Sequence, residues 1–148
     1  MTERDAVRLE QQLCFALYSA SRAMTTCYRP LLEDLGLTYP QYLVMLALLE
    51  REPVTVKDLG ATLRLDSGTL SPLLKRMAAA GLLTRSRSAA DERSVVVSLT
   101  EAGEALRDRI AEVPAGVMAA SGSSLEQIMA LQADVTAFLA RMERAVGQ

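Results

Sequence analysis

The sequence predicts an α+β chain, mostly helical, whose flanking helices enclose one short segment of helix, turn, helix and β-hairpin. Three observations carry that prediction. Half of the residues are hydrophobic while only 4% are aromatic, and Ala and Leu dominate, which favours helix. Apolar side chains recur at helical spacing at both ends of the chain. Between them, Thr55 to Thr100 changes character. TVKDLGATLRL and DSGTLSPLLKRMAAAG read as two short helices, and LLTRSRSAADERSVVVSLT reads as two strands around a polar tip. At 148 residues the chain is expected to be one domain, with a lobe over 38–100 set between helical regions over 1–35 and 101–148.

Taken in order, residues 4–28 read as one helix, with Val7, Leu13, Leu17, Ala20, Met24 and Cys27 on roughly one side. Pro30 is expected to end it, because the residue before a proline disfavours helical geometry. RPLLEDLG then makes a short helical turn stopped by Gly36. Thr38 and Gln41 have capping-box spacing, and PQYLVMLALLE behind them is apolar nearly all round, as a central core helix should be. Thr55 with Asp58 starts the next helix, to about Leu63.

The cluster Asp66-Ser67-Gly68-Thr69 marks a turn and a helix start. Either Ser67 or Thr69 can be the cap, and Pro72 falls inside the helix or in its first turn accordingly. Leu70, Leu73, Leu74 and Met77 face inward at helical spacing, and Gly81 ends the helix. Leu82–Arg87 and Val95–Leu99 pair as antiparallel strands, the second rich in β-branched residues. Thr100 caps EAGEALRDRIAEV, which Pro114 and Gly116 are expected to interrupt. Ser123 with Glu126 reads as a second capping box, opening a helix striped by Leu125, Ile128, Leu131, Val135, Leu139 and Met142. Two apolar-striped terminal regions predict pairing across a two-fold axis.

Composition excludes several functions. The chain has no histidine, which removes Ser-His-Asp and Cys-His catalysis and histidine-containing zinc sites. No glycine-rich phosphate or dinucleotide loop appears, so neither an enzyme nor a cofactor is expected. No apolar run approaches the ~20 residues of a membrane span. The opening MTERDAVRLEQQ is charged and periodic, unlike a secretory signal. With two cysteines and no export signal, a cytoplasmic, reducing location is expected.

The net charge is −2, yet residues 64–93 carry six basic and three acidic side chains, which leaves −5 on the remainder. A local basic patch, not the total, sets phosphate attraction. The second helix of the central segment is sized for a DNA major groove, and the hairpin for the adjacent minor groove. Ser67, Thr69 and Ser71 are short polar groups near a helix N-terminus, where they can approach phosphates and base edges. Lys75 and Arg76 lie further along the helix, and Arg85 and Arg87 lie on the hairpin. Arg93 is the best minor-groove candidate, with Asp91 two residues earlier able to fix it by an ion pair or simply to make the turn. This arrangement defines a winged helix-turn-helix.

DSGTLSPLLKRMAAAGLLTRSRS followed by DERSVVVSLTEAG resembles the MarR family of winged-helix repressors, with Asp91 and Arg93 matching its wing signature. The resemblance implies a homodimer on palindromic double-stranded DNA. LCFALYSASRAMTTCYRPLL and LGLTYPQYLVMLALLE further resemble the organic-hydroperoxide-responsive, OhrR-type branch. It implies that Cys14 is the redox sensor. Tyr28 and Tyr39 would then be the hydroxyls that hold its reduced sulfur, reaching it from the partner subunit, and oxidation would release DNA. A thiolate is the nucleophile that opens a peroxide, and phenols can hold it without adding charge. A buried sulfur among Phe15, Leu17, Met24 and Met45 would favour organic over hydrogen peroxide.

Cys14 and Cys27 on one helix stand ~20 Å apart, against the ~7 Å a disulfide allows. A small cellular thiol is therefore expected as the mixed-disulfide partner, although Cys27 meeting its counterpart across a dimer stays open. Competing readings are a regulator released by a small aromatic anion, a thiol peroxidase, and a protein-interaction module with no DNA role.

Overall fold

The structure, a computed structural model, describes residues 7–147. Residues 4–6 of the expected opening helix lie outside them. The chain divides into two compact units, Met1–Val113 and Pro114–Gln148.

In the first unit a 3-10 turn over Leu9–Gln11 precedes α1, Leu13–Glu33. The expected helix over 4–28 is thus displaced: it starts later and runs straight through Pro30. Pro30 and Thr26 are both exposed, so the Thr26 carbonyl that loses its amide partner faces water, and the break costs less than it would in a core. α1 ends one turn further on. Leu37 N–H donates to the Leu32 carbonyl and Gly36 N–H to Glu33, with Gly36 at φ +68°, a closing turn that needs the left-handed conformation.

α2, Tyr39–Glu50, opens with the expected capping box: the Gln41 amide donates to Thr38 Oγ1 and the Thr38 amide to Gln41 Oε1. Tyr42, Val44, Met45 and Leu48 are buried, which makes α2 the central helix of the unit. α3, Val56–Leu63, is capped by Thr55, and α4 follows as Ser67–Ala79. Between them Arg64 adopts φ +54°, and Leu65 N–H returns to the Gly60 carbonyl. A Cβ on Gly60 would stand 2.9 Å from the Leu65 carbonyl oxygen, so this tight turn depends on glycine there.

Neither candidate caps α4. Asp66 does, its Oδ1 accepting from the Thr69 amide at 2.7 Å. Ser67 becomes the first helical residue, and Pro72 lies well inside. Leu70, Leu73, Leu74 and Met77 are buried as expected. β2, Leu83–Arg87, and β3, Val95–Leu99, pair antiparallel with Arg85 opposite Val97. A two-residue strand that sequence patterning gave no sign of, β1 (Val54–Thr55), adds to the other edge of β3 in the order β1-β3-β2.

Thr100 caps α5, Glu101–Glu104, through the Gly103 amide, and its own hydroxyl donates to the Gly81 carbonyl at 2.5 Å. The helical stretch then breaks at Ala105–Leu106, not at Pro114 and Gly116 as expected, and resumes as α6, Arg107–Ser121. Pro114 is exposed and lies inside α6, with the buried Ile110 one turn before it. Within the first unit, the Arg107 guanidinium donates to the Leu49 carbonyl and that of Arg109 to the Asp34 carbonyl, closing the C-terminal ends of α2 and α1.

In the second unit, α7 covers Leu125–Ala145. Its capping box is Ser124 with Gln127, one residue beyond the expected Ser123 and Glu126. Leu125, Met129, Leu131, Val135, Leu139 and Met142 are all exposed in the single chain. Among the described residues, no helix is long and apolar enough to cross a membrane.

Candidate functional site

Two sets of side chains stand out. The first lies on α4 and the hairpin. Ser67, Thr69, Ser71, Lys75 and Arg76 are exposed on the side of α4 opposite its buried leucines, and Arg85 and Arg87 are exposed on β2. Ser67, Ser71, Arg85 and Arg93 come together along one open groove of about 480 Å³ between α3, α4 and the hairpin. Thr69, Lys75, Arg76, Arg87 and Asp91 do not line it. Lys57, exposed at the start of α3, does. Lys57 lies upstream of the basic stretch 64–93 and beside Asp58, so local charge gave no sign of it. Three cations and no carboxylate line the groove, which makes it attractive to a phosphate backbone.

At the hairpin tip Asp91 makes the turn. Its Oδ1 accepts from the Arg93 amide at 2.9 Å, its Oδ2 takes a weak contact from Ser94 Oγ at 3.4 Å, and Ser94 N–H donates to its carbonyl. The Asp91 carboxylate therefore grips the backbone of Arg93, not its guanidinium. Among the described residues no ion pair joins the two, and the guanidinium is left for an external partner. At the N-terminus of α4, hydrogen bonding by the Thr69 amide and side chain, with a smaller share from the Gly68 amide, holds the Asp66 carboxyl below its ordinary value, so the cap is charged at neutral pH.

The second set concerns sulfur. Cys14 is the second residue of α1 and is exposed; Cys27 is half-buried on the same helix. The expected burial of Cys14 among Phe15, Leu17, Met24 and Met45 is not met within one chain. Phe15 and Met24 are themselves exposed, and Met45 belongs to the core beneath α2. Tyr18, one turn on from Cys14, is exposed and carries the Arg22 guanidinium 5.5 Å from its ring centre.

Tyr28 and Tyr39 meet edge to face with ring centroids 5.0 Å apart, one from the end of α1 and one from the start of α2. A third tyrosine completes the group. Tyr42 lies 5.6 Å from Tyr28 and 6.1 Å from Tyr39. Sequence patterning had absorbed it into the apolar run of α2. Its place one turn after Tyr39 was the available signal. Burial, reinforced by the neighbouring phenols, pushes the Tyr42 hydroxyl up to about 12 and raises that of Tyr28 as well. Both therefore stay protonated at neutral pH and remain hydrogen-bond donors. Cys14 and Tyr28 are fourteen residues apart on one continuous helix, or ~21 Å along its axis, so a single chain does not bring sulfur and phenols together.

An exposed helix backed by a basic hairpin defines a DNA-binding winged helix-turn-helix regulator, and comparison with known proteins agrees. Residues 26–110 match the family described as "Transcriptional regulator SarA/Rot". An organic hydroperoxide resistance transcriptional regulator of Bacillus subtilis is 52% identical over 128 residues, covering 86% of this chain and 87% of that protein. Reduced AbfR of Staphylococcus epidermidis bound to DNA superposes with a TM-score of 0.77 at 31% identity, covering 95% of this chain and 99% of AbfR. Overoxidized AbfR bound to DNA gives 0.76 at 32% identity, with the same coverage. The chain belongs to the MarR- and SarA-type winged-helix transcriptional regulators, in the OhrR-type branch. These relatives are regulators of transcription, not enzymes.

Proposed function

We propose that this chain is a cytoplasmic, homodimeric repressor that binds a palindromic operator and lets go when an organic hydroperoxide oxidises Cys14. The observation that carries the sensing half is the convergence of Tyr28 and Tyr39 from two helices, at the far end of α1 from an exposed thiol. The name of the Bacillus subtilis relative supports the choice of oxidant. In a two-fold dimer, the Tyr28 and Tyr39 hydroxyls of one protomer hold the Cys14 sulfur of its partner.

The chemistry then runs as follows. The Cys14 thiolate attacks the outer oxygen of the hydroperoxide, and the O–O bond breaks. Sulfur becomes a sulfenic acid, and the departing alkoxide takes a proton to leave as an alcohol. A small cellular thiol next condenses with the sulfenic acid, forming a mixed disulfide and releasing water. Either product enlarges the sulfur and removes its negative charge, which disturbs the phenols around it.

For DNA, Ser67, Thr69, Ser71, Lys75 and Arg76 of α4 enter the major groove. Lys57, Arg85 and Arg87 take phosphates, and Arg93 enters the minor groove, presented by the Asp91 turn. Residues 38–100 form this reading lobe. Residues 1–35 and 101–148 form the dimerisation region, where the exposed apolar side chains of α1 and of α7 are covered.

Cys14→Ser tests the reading. The variant is expected to bind operator as the unaltered protein does and to stay bound in cumene hydroperoxide. Normal release of Cys14→Ser by the peroxide would end the sensing proposal, and release by a small aromatic anion instead would point to a ligand-operated regulator.

A further inference from the structure

We infer that Tyr42 is a positioning residue for the peroxide reaction: it anchors the rings of Tyr28 and Tyr39, and so aims two hydroxyls at a sulfur it never touches. The inference rests on Cys14 being the sensor.

The three rings form a closed triangle with centroid separations of 5.0, 5.6 and 6.1 Å. Its members differ in burial. Tyr28 and Tyr39 are half-buried, so each can offer its edge to an incoming group. Tyr42 is only 2% exposed, with the fully buried Val44 and Met45 close behind it on α2. A phenol that deep is out of reach of a thiol arriving from another protomer.

Tyr28 hangs from the last turns of α1, and Tyr39 sits on the first turn of α2. Each has two free side-chain torsions, and no helix carries both. Tyr42, one turn beyond Tyr39, is the buried surface on which both rings rest. Two donors that must converge on one sulfur lose their shared geometry if that surface goes, and a reacting centre is sensitive to such loosening.

The test uses the full-length reduced protein, its operator and cumene hydroperoxide. Tyr42→Met fills a similar volume without a ring, and Tyr42→Phe keeps the ring. Tyr42→Met is expected to bind operator normally when reduced, while sulfenic acid forms at Cys14 on the order of tenfold more slowly, well inside the roughly 10²-fold cost of a 1 Å misplacement. Tyr42→Phe is expected to restore the rate. A Tyr42→Met protein that binds operator and oxidises at the unaltered rate would overturn the proposal, as would a Phe variant as slow as the Met one.

If Tyr42→Met does not fold, fluorine NMR of the unaltered protein labelled with 3-fluorotyrosine decides. Oxidation of Cys14 is expected to shift the resonances of Tyr28, Tyr39 and Tyr42 together. A Tyr42 signal that stays still while the other two move refutes the anchor. Cys14→Ser, run alongside, separates the two layers: its release by peroxide would sink the sensor reading itself.

Discussion

Asp91 and Arg93 illustrate how much rests on single side chains. The carboxylate spends its hydrogen bonds on the turn, at 2.9 Å from the Arg93 amide, which leaves the guanidinium unspent. Arg93→Ala is therefore expected to weaken operator binding and to lower the slope of log affinity against log salt by about 1, with the melting curve unchanged. Fluorescence anisotropy across a salt series checks this. Asp91→Ala should weaken binding by loosening the tip, while Asp91→Asn, whose side-chain oxygen can still accept from the amide, should bind nearly normally. Equal losses in both variants would restore the ion-pair role the sequence had suggested.

Asp66 has a pH signature. Its carboxyl is held below the ordinary value of 3.8 in the folded chain, so the charged cap contributes stability that is complete above that value. The contribution disappears as pH falls from there through the depressed value. Hydrogen exchange at the Thr69 and Leu70 amides is expected to accelerate over that acid window, and Asp66→Asn, which caps without titrating, should flatten the response.

At the scale of elements, the closest backbone approach lies where α5 docks. A Cβ on Gly103 would fall 2.1 Å from the Leu82 carbonyl oxygen, with no flexible side chain to yield. Gly103→Ala must push α5 off the α4–β2 turn, and a loss of about 1–3 kcal/mol in urea unfolding is expected, the range for overpacking. A midpoint within error of the unaltered protein would mean the turn moves freely. None of this was legible in the letters EAGE, since the neighbour that makes glycine necessary is some twenty residues away in sequence.

Local signals fared better. Thr38 with Gln41, Thr55 with Asp58, and the inward face Leu70, Leu73, Leu74, Met77 depend on residues within one or two turns, and all were read correctly. The misreadings share another cause. Pro30 and Pro114 looked like stops, yet both helices run through them; at Pro30 the orphaned Thr26 carbonyl belongs to an exposed residue and can turn to water. Three capping-type residues within four positions, Asp66, Ser67 and Thr69, hid the choice of Asp66 as cap, and a similar cluster shifted the Ser124 box by one. β1 is two residues long and exists only because β3 lies beside it. Tyr28 and Tyr39 were singled out from the resemblance, but their contact with Tyr42 required the fold.

For the whole molecule, charge and apolar surface divide the labour. The excess positive charge sits in the reading lobe, while α7 alone exposes Leu125, Met129 and Leu131 at 59–62%. Apolar side chains so repeatedly bared on one helix mark an interaction face. Leu131→Glu combined with Leu139→Glu is expected to yield a monomer in sedimentation velocity and to abolish tight operator binding, because paired half-sites need paired lobes. A double variant that sediments as a dimer would place the subunit contact elsewhere.

The length of α1 has one last consequence. With Cys14 at one end of an unbroken rod and Tyr28 towards the other, the proposed sensing centre would borrow from two polypeptides, so two crippled chains should be able to repair one another. Cross-pairing a subunit that lacks only Cys14 with one that lacks only the Tyr28 and Tyr39 hydroxyls leaves one centre whole and one empty. The mixed species should answer peroxide, although neither parental pair does.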